Sequence, residues 1–226
     1  MSAFLAPVHF WMYDKIINLR NLEDELSELL RDNEQYREFL ENLSKKYGDI
    51  NRDESLEAII DHSNIHGWLQ KNVDIVEVRH AEVITKLIDM GVSMDKILEK
   101  TEEHAIKVAN NIHQEAEKNK DNFIKSYGYD TPKEVFATIN TYVLDGLPCD
   151  RVSLPIEESP NEFIWETTNC IHEKYWDSIG GDVSNYYQVR NTWINSFVQN
   201  LPKKYRYERY QDSGKTLNRV VSLEGK

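Results

Sequence analysis

Apolar residues recur every three or four positions from Pro7 to about Tyr127, and this spacing constrains the fold of the chain more than any other feature. Residues with this spacing lie on one face of an α-helix, so that face can be buried. Pro7 suits the first turn of a helix, and the same pattern continues to Leu30. The sequence therefore predicts a mainly α protein.

Glycines and capping residues divide this region into helical segments. Gly48 and Gly91 end two of them, and Ser93 caps the segment that follows Gly91. Four antiparallel helices would bury the apolar faces economically, so we predict an N-terminal four-helix bundle over residues 1–128. Residues 8–12 align with residues 65–69, and this internal repeat indicates that the bundle arose from a duplicated helical hairpin.

The second half of the chain has a different pattern. Thr131 to Glu134 form a capping box with Pro132 at the first helical position, which predicts a short helix that ends near Gly146. Further along, alternating and helical patterns predict a strand at 163–167, helices at 171–178 and 184–201, and a hairpin of residues 204–210 and 218–223. We therefore predict a C-terminal α+β segment over residues 129–226.

The charge balance and the cysteine count limit the classes of partner and the cellular compartment that we expect for this chain. Acidic residues number 39 against 27 basic ones, and this net charge of -12 argues against nucleic acid and against an anionic membrane as partners. No apolar run approaches the ~18 residues that a membrane span needs. Two cysteines fit a reducing compartment. We expect a cytoplasmic protein that binds a small molecule, with a homodimer as an open alternative.

Helix faces that should be buried also carry titratable residues. Between residues 65 and 90, His66, Glu77 and His80 share a face with apolar side chains, and the first helix and the helix after Gly91 show similar stripes. Burial of such groups is costly unless they are paired or bind a metal. Antiparallel packing of these helices predicts two polar layers, one of Glu23, Glu77, His80 and His104, and the other of His9, His66 and Glu115.

The first layer contains a Glu-x-x-His step, from Glu77 to His80, which places a carboxylate and an imidazole on adjacent turns. We predict a mononuclear iron, manganese or zinc site with Glu23, Glu77, His80 and His104 as ligands. Such an ion would act as a Lewis acid in an enzyme. In the alternative interpretation the layer consists of buried ion pairs, Arg20 with Glu77 and Glu23 with His80, and His104 is an ordinary core histidine.

The two cysteines predict a second candidate site. Cys149 precedes Asp150 in a loop after a helix, where its thiol should be reachable. Cys170 lies where a strand gives way to a helix, whose N–H groups favour a thiolate, and His172 is the candidate base. Arg190 is the predicted binding residue for a substrate carboxylate. We expect the C-terminal segment, with Cys149, Asp150, His172 and Arg190, to close or complete a pocket between the two halves of the chain.

A family resemblance begins with the run Trp165-Glu166-Thr167-Thr168-Asn169-Cys170. It continues through Tyr175-Trp176, Gly180-Gly181-Asp182, Tyr187, Arg190 and Phe197 to the strand at 205–210. This segment resembles the C-terminal part of the L-2-amino-thiazoline-4-carboxylic acid hydrolase-like group. The resemblance implies an intracellular hydrolase that acts on a small cysteine-derived ring, with Cys170 as the matching cysteine.

Three functions are compatible with these observations. The first is a metal-dependent enzyme, a hydrolase acting on a small molecule. The second is a non-catalytic module, either a small-molecule sensor or a dimerising helical protein, in which buried ion pairs fix the register of the helices. The third is a metal-free thiol hydrolase that depends on Cys170.

Overall fold

The structure is a computed structural model that describes residues 5–118 and 128–224, without the side chains of residues 115–118. In these ranges the chain forms eight α-helices and four strands, so it is mainly helical with a C-terminal α+β part, as predicted. The helices are α1 (Pro7–Ser27), α2 (Glu34–Tyr47), α3 (Leu56–Ile59), α4 (Ile65–Asp89), α5 (Met94–Lys118), α6 (Pro132–Tyr142), α7 (Glu173–Ser178) and α8 (Val183–Gln199). The strands are β1 (Ser153–Glu158), β2 (Glu162–Thr167), β3 (Tyr205–Asp212) and β4 (Lys215–Ser222).

Local signals set the start of helix α6. The hydroxyl of Thr131 accepts a hydrogen bond from the backbone N–H of Glu134 at 3.3 Å, and the Glu134 carboxylate accepts one from the N–H of Thr131 at 3.2 Å. These reciprocal bonds satisfy backbone donors that have no partner within the helix, and Pro132 occupies the first helical position. The predicted capping box is confirmed.

The long helices pack in pairs that join the two halves of the chain. Helix α1 packs along α4, and α5 packs mainly along α8 from the C-terminal half. On α8, the rings of Trp193 and Phe197 stack at 5.0 Å within this interface region. Because the chief partner of α5 comes from beyond residue 128, the N-terminal four-helix bundle and its origin in a duplication stay predictions.

The sheet is antiparallel throughout, in the order β1-β2-β4-β3. Strands β3 and β4 form a hairpin with Ser213 and Gly214 between them, both at positive φ as a tight hairpin turn requires. On β2, Phe163 and Trp165 point to one face and pack against Phe136 of α6, at ring distances of 4.5 and 4.8 Å. The predicted hairpin and the predicted β2 are confirmed, whereas the edge strand β1 was not predicted.

Two clusters of buried apolar side chains meet at the end of α6. The larger cluster extends from α1 to β4 and includes Val143, and the smaller one lies between α1, α3 and α4 and includes Leu144. Because Val143 and Leu144 are buried in different clusters, they fix the position at which the following loop, beginning with Asp145, leaves the core. No helix among the described residues is long and apolar enough to cross a membrane.

Candidate functional site

The loop between α6 and β1 starts in the interior and takes its shape from local constraints. Gly146 has a φ of 82°, and a Cβ there would lie 2.7 Å from a side-chain carbon of Ile171, so glycine is needed for both reasons. The carboxylate of Asp150 accepts a hydrogen bond from the N–H of Leu147 at 2.8 Å and closes a single 3₁₀ turn. These constraints fix the direction in which the preceding side chain, Asp145, enters the interior.

Four buried charged side chains, Glu77, His172, Asp145 and Arg190, form what we call the charge network. Arg190 donates from Nε to Oδ1 of Asp145 at 2.8 Å and from Nη2 to Oδ2 at 2.5 Å. Nε2 of His172 lies 3.7 Å from Asp145 Oδ1, and its Nδ1 lies 3.0 Å from both oxygens of Glu77. Negative and positive groups therefore alternate from α4, through the residue before α7 and the loop after α6, to α8.

Two members of the network, His172 and Asp145, keep their charges at neutral pH. Burial lowers the pKa of His172, but the charge of Glu77 and the nearby carboxylate of Asp145 outweigh burial and raise that pKa to about 9. Burial raises the pKa of Asp145, but the charge of Arg190 outweighs it and holds the pKa far below its usual range. Two carboxylates and two cations then balance one another, which is what makes their burial tolerable.

In the network, two predicted site residues have partners other than the expected ones. Arg190 was expected to bind a substrate carboxylate, but its guanidinium is bound to Asp145 and to the hydroxyl of Tyr207, at 3.1 Å. His172 was expected to act as a base for Cys170, but both of its ring nitrogens face the network carboxylates. The ring of Tyr186 also covers His172, stacked at 3.7 Å. In the described structure, both side chains therefore have their polar groups directed at other residues of the protein.

The first predicted polar layer is buried, but its pairing differs from both interpretations. Glu23 accepts hydrogen bonds from Nη2 of Arg79 at 2.6 Å and from its Nε at 3.2 Å. Arg20 pairs with Asp49, with Nε 2.7 Å from Oδ1, and lies 3.6 Å from Glu23. The expected pairs Arg20 with Glu77 and Glu23 with His80 are absent from the described residues, because Arg79 and the C-terminal His172 supply the cations instead.

The two histidines of this layer are neutral core residues. Burial and the charge of His172 lower the pKa of His80 to about 3, and no described residue bonds to its buried Nδ1. Burial lowers the pKa of His104 to about 4, and its Nδ1 accepts a hydrogen bond from the indole of Trp193 at 2.9 Å. Within residues 5–118 and 128–224, no group of three or more His, Cys, Asp and Glu side chains is placed to hold a metal ion.

The second predicted layer is partly assembled. The rings of His9 and His66 lie 5.4 Å apart, nearly perpendicular to each other. Nδ1 of His9 accepts a hydrogen bond from the N–H of Ala6 at 2.9 Å, so this ring also completes the start of α1. The side chain of Glu115, the third predicted member, lies outside the described part of the structure.

The thiol cleft, named for Cys170 on its wall, has a volume of about 420 Å³ and lies between α4, α7 and the loop after α6. Asp150 lines the same cleft. Cys170 and Cys149 are both free and exposed, and Sγ of Cys149 lies 4.0 Å from Oδ1 of Asp150. Burial and the neighbouring Cys170 raise the pKa of Tyr187 well above its ordinary value. Cys149 is exposed, as predicted, and Cys170 is exposed too, whereas both ring nitrogens of His172 face Glu77 and Asp145.

A second cleft, on the other side of Gly146, is called the lysine cleft. It has a volume of about 280 Å³ and lies between α1, α6, the loop and β1. Its wall is mainly apolar and includes the rings of Trp11 and Phe136, and its polar groups include Lys15, Asp145 and Arg151. An apolar cleft with a few convergent polar groups is typical of small-molecule sites.

Lys15 is the unusual group in this cleft. The residue is only 8% exposed, and burial lowers its pKa to about 8 despite the opposing charge of Asp145. No described residue forms a hydrogen bond or an ion pair with its ammonium, and a lysine is almost never buried without such a partner. Because Asp145 is already held by Arg190 and His172, Lys15 is a surplus positive charge at the cleft wall.

Sequence reasoning missed Lys15 and Asp145. A signal for Lys15 was present, because the residues four and seven positions away, Trp11, Leu19 and Val8 among them, are apolar and share its helix face. Asp145 had no such signal, since its importance depends on contacts with helices distant in sequence.

No known family model matches this chain, no curated protein is significantly similar to it in sequence, and no solved structure matches its fold. The resemblance of the segment 165–210 to the L-2-amino-thiazoline-4-carboxylic acid hydrolase-like group stays a prediction. The geometry of the two clefts and of the charge network is therefore the basis on which a function can be argued.

Proposed function

We propose that this protein binds a small organic anion in the lysine cleft, with the anionic group on Lys15 and the apolar body against Trp11 and Phe136. The observation that carries the proposal is Lys15, a residue only 8% exposed whose ammonium faces the cleft and has no partner among the described residues. A carboxylate on the ligand would supply the missing charge and hydrogen bonds. This function corresponds to the non-catalytic, small-molecule-binding alternative.

The charge balance around Lys15 favours an anion over a neutral molecule. Asp145 is the carboxylate that acts on Lys15, but the bidentate bond from Arg190 already uses both of its oxygens. Arg151 adds a second positive side chain to the cleft. The cleft is therefore locally positive in a chain whose net charge is -12.

The size of the cleft limits the ligand. Sites for drug-sized molecules have volumes of about 300–1,000 Å³, and the lysine cleft, at about 280 Å³, falls just below this range. We therefore expect a ligand of the size of propionate, lactate or benzoate. Of these acids, benzoate tests best whether aromatic contacts with Trp11 and Phe136 contribute.

Isothermal titration calorimetry with propionate, lactate and benzoate tests the proposal directly. Loss of a hydrogen-bonded charge pair costs about 1.5–3 kcal/mol, so Lys15→Met should weaken binding by about 10- to 100-fold. Lys174→Met is the matched control, because Lys174 is an exposed lysine on the wall of the thiol cleft. The control should bind the acids like the parent.

Two results would contradict the proposal. One is the absence of binding heat with all three acids at millimolar concentration, and the other is equal affinity of the parent and Lys15→Met. Calorimetry is preferable to a thermal shift, because removal of a buried charge changes the melting temperature without any ligand.

The two enzymatic alternatives depend on other side chains, so variants separate them from the proposed function. A thiol hydrolase needs Cys170, and a metal-dependent hydrolase needs Glu77 and His80. Cys170→Ser should leave the affinity of the lysine cleft for carboxylates unchanged, because Cys170 lines the thiol cleft. Elemental analysis of protein purified without a chelator tests the metal-dependent alternative.

A further inference from the structure

The environment of Lys15 suits covalent chemistry as well as binding. An amine attacks a carbonyl carbon only in its neutral form, and an ordinary lysine is almost wholly protonated at neutral pH. Burial favours the neutral form of Lys15, whose pKa is about 8, and no described side chain occupies its nitrogen. A lysine that is desolvated in an apolar pocket is an activated nucleophile of the kind that forms Schiff bases.

We propose that Lys15 condenses with the keto group of a small 2-oxo acid to form a reversible imine, while Arg151 binds the carboxylate of the acid. This inference rests on the proposed function, because it requires that a small carboxylate enters the lysine cleft. It adds a chemical class of ligand and a covalent step.

The step balances without an oxidant or another reactant. The lone pair of Lys15 Nζ adds to the carbonyl carbon, and the carbinolamine that forms loses its oxygen as water, which leaves a C=N bond. Starting from the ammonium form, the products are a protonated imine and water, so the positive charge is kept. Asp145 stays ionised because its pKa lies far below its usual range, and its charge favours the cationic imine.

Arg151 is placed to recognise the carboxylate. Its side chain lines the cleft and is exposed, and its guanidinium forms no hydrogen bond or ion pair with the described residues. The backbone of Arg151 has a φ of 50°, and its carbonyl accepts a hydrogen bond from the hydroxyl of Thr168 at 3.1 Å. A non-glycine residue in this conformation is strained, and such strain persists only where the surroundings hold it.

Reductive trapping tests the covalent step. The protein is incubated with pyruvate and cyanoborohydride, which reduces an imine to a stable secondary amine, and the modified residue is located by peptide mass spectrometry. We expect modification of Lys15 that saturates with pyruvate. The same preferential, saturable labelling of Lys15 is expected in Lys174→Met, whereas Lys15→Met should show no saturable site.

A variant of Arg151 tests the carboxylate contact. Asparagine tolerates positive φ, so Arg151→Asn keeps the loop and removes the charge. We expect it to raise the pyruvate concentration for half-maximal trapping about tenfold. Trapping of acetaldehyde, which has a carbonyl group but no carboxylate, should not change.

The outcomes separate this inference from the proposed function. If lactate binds but pyruvate labels Lys15 no faster than the exposed Lys174, imine formation is refuted and anion binding stands. If the Arg151→Asn variant traps pyruvate like the parent, the role of Arg151 is refuted. If the cleft binds neither lactate nor pyruvate, and propionate and benzoate also fail, the proposed function fails and the inference fails with it.

Discussion

Replacement of Lys15 by methionine should make the folded protein more stable. The ordinary lysine pKa of 10.5 falls to about 8 in the folded state, and each tenfold change in proton affinity corresponds to about 1.4 kcal/mol. At pH 7, below both values, the buried ammonium therefore costs the folded state about 3 kcal/mol. Methionine has a similar unbranched stem and carries no charge, so Lys15→Met should remove this cost.

The pH dependence of this gain identifies its cause. A lysine whose pKa is lowered on folding binds fewer protons in the folded state, so its cost is complete below pH 8 and disappears as the pH rises toward 10.5. We expect the gain from Lys15→Met, about 3 kcal/mol at pH 7, to fall to about 1 kcal/mol at pH 9.5. Asp145 and Arg151, the charged groups that share the cleft, are unchanged in the variant.

Urea unfolding of the parent and the variant at both pH values measures the effect. Thermal unfolding gives a second measurement: for a chain of 226 residues, a gain of about 3 kcal/mol corresponds to a rise in melting temperature of about 6–12 °C. The exposed Lys174→Met serves as the control and should change stability by less than about 0.5 kcal/mol. A loss of stability in Lys15→Met would refute the reasoning, because it would mean that the ammonium has a stabilising partner in the folded protein.

Three further substitutions test the interior. His172→Gln leaves two buried carboxylates short of a cation and should lower the free energy of unfolding in urea by about 3–5 kcal/mol. Because the pKa of His172 is raised to about 9, this loss should be largest below pH 6.5 and shrink toward pH 9. A loss that does not depend on pH would contradict this account. Trp193→Phe removes the indole donor to His104 and should cost about 1–3 kcal/mol by leaving a buried acceptor unpaired; an unchanged unfolding midpoint would be evidence against that bond. The pKa of His80 is about 3 in the folded protein, so between pH 7 and pH 5 only the unfolded chain takes up a proton there, and the parent loses about 2 kcal/mol of stability. His80→Leu does not have this loss, so its stability relative to the parent should rise by about 2 kcal/mol over the same range. Urea titrations that give the same difference at both pH values would exclude this account.

Local sequence signals determined the secondary structure because their physical causes are local. Thr131 and Glu134 satisfy backbone donors within one turn, and Gly214 supplies the positive φ that the β3–β4 turn needs. The edge strand β1 was missed for a related reason. Its residues are exposed or half-buried, with Leu154 and Ile156 both exposed, and Pro155 inside the run is a loop signal in the sequence.

The periodicity also determined which polar residues enter the core. Glu23, Glu77, His80 and His104 were expected to be buried, and all four are. The periodicity could not show what each of them contacts, because a helix pattern shows that a face is buried and does not show which residues cover it.

Tertiary structure decided the partners, and with them the candidate site. Glu77 meets His172 from 95 positions along the chain, and α5 packs mainly on α8. These contacts bind Arg190 to Asp145 and leave Lys15 without a partner among the described residues. The sequence by itself determined the helices, their buried faces and the hairpin. The choice of which buried charge is neutralised and which remains free depends on distances between elements far apart in sequence, and only the folded arrangement sets those distances.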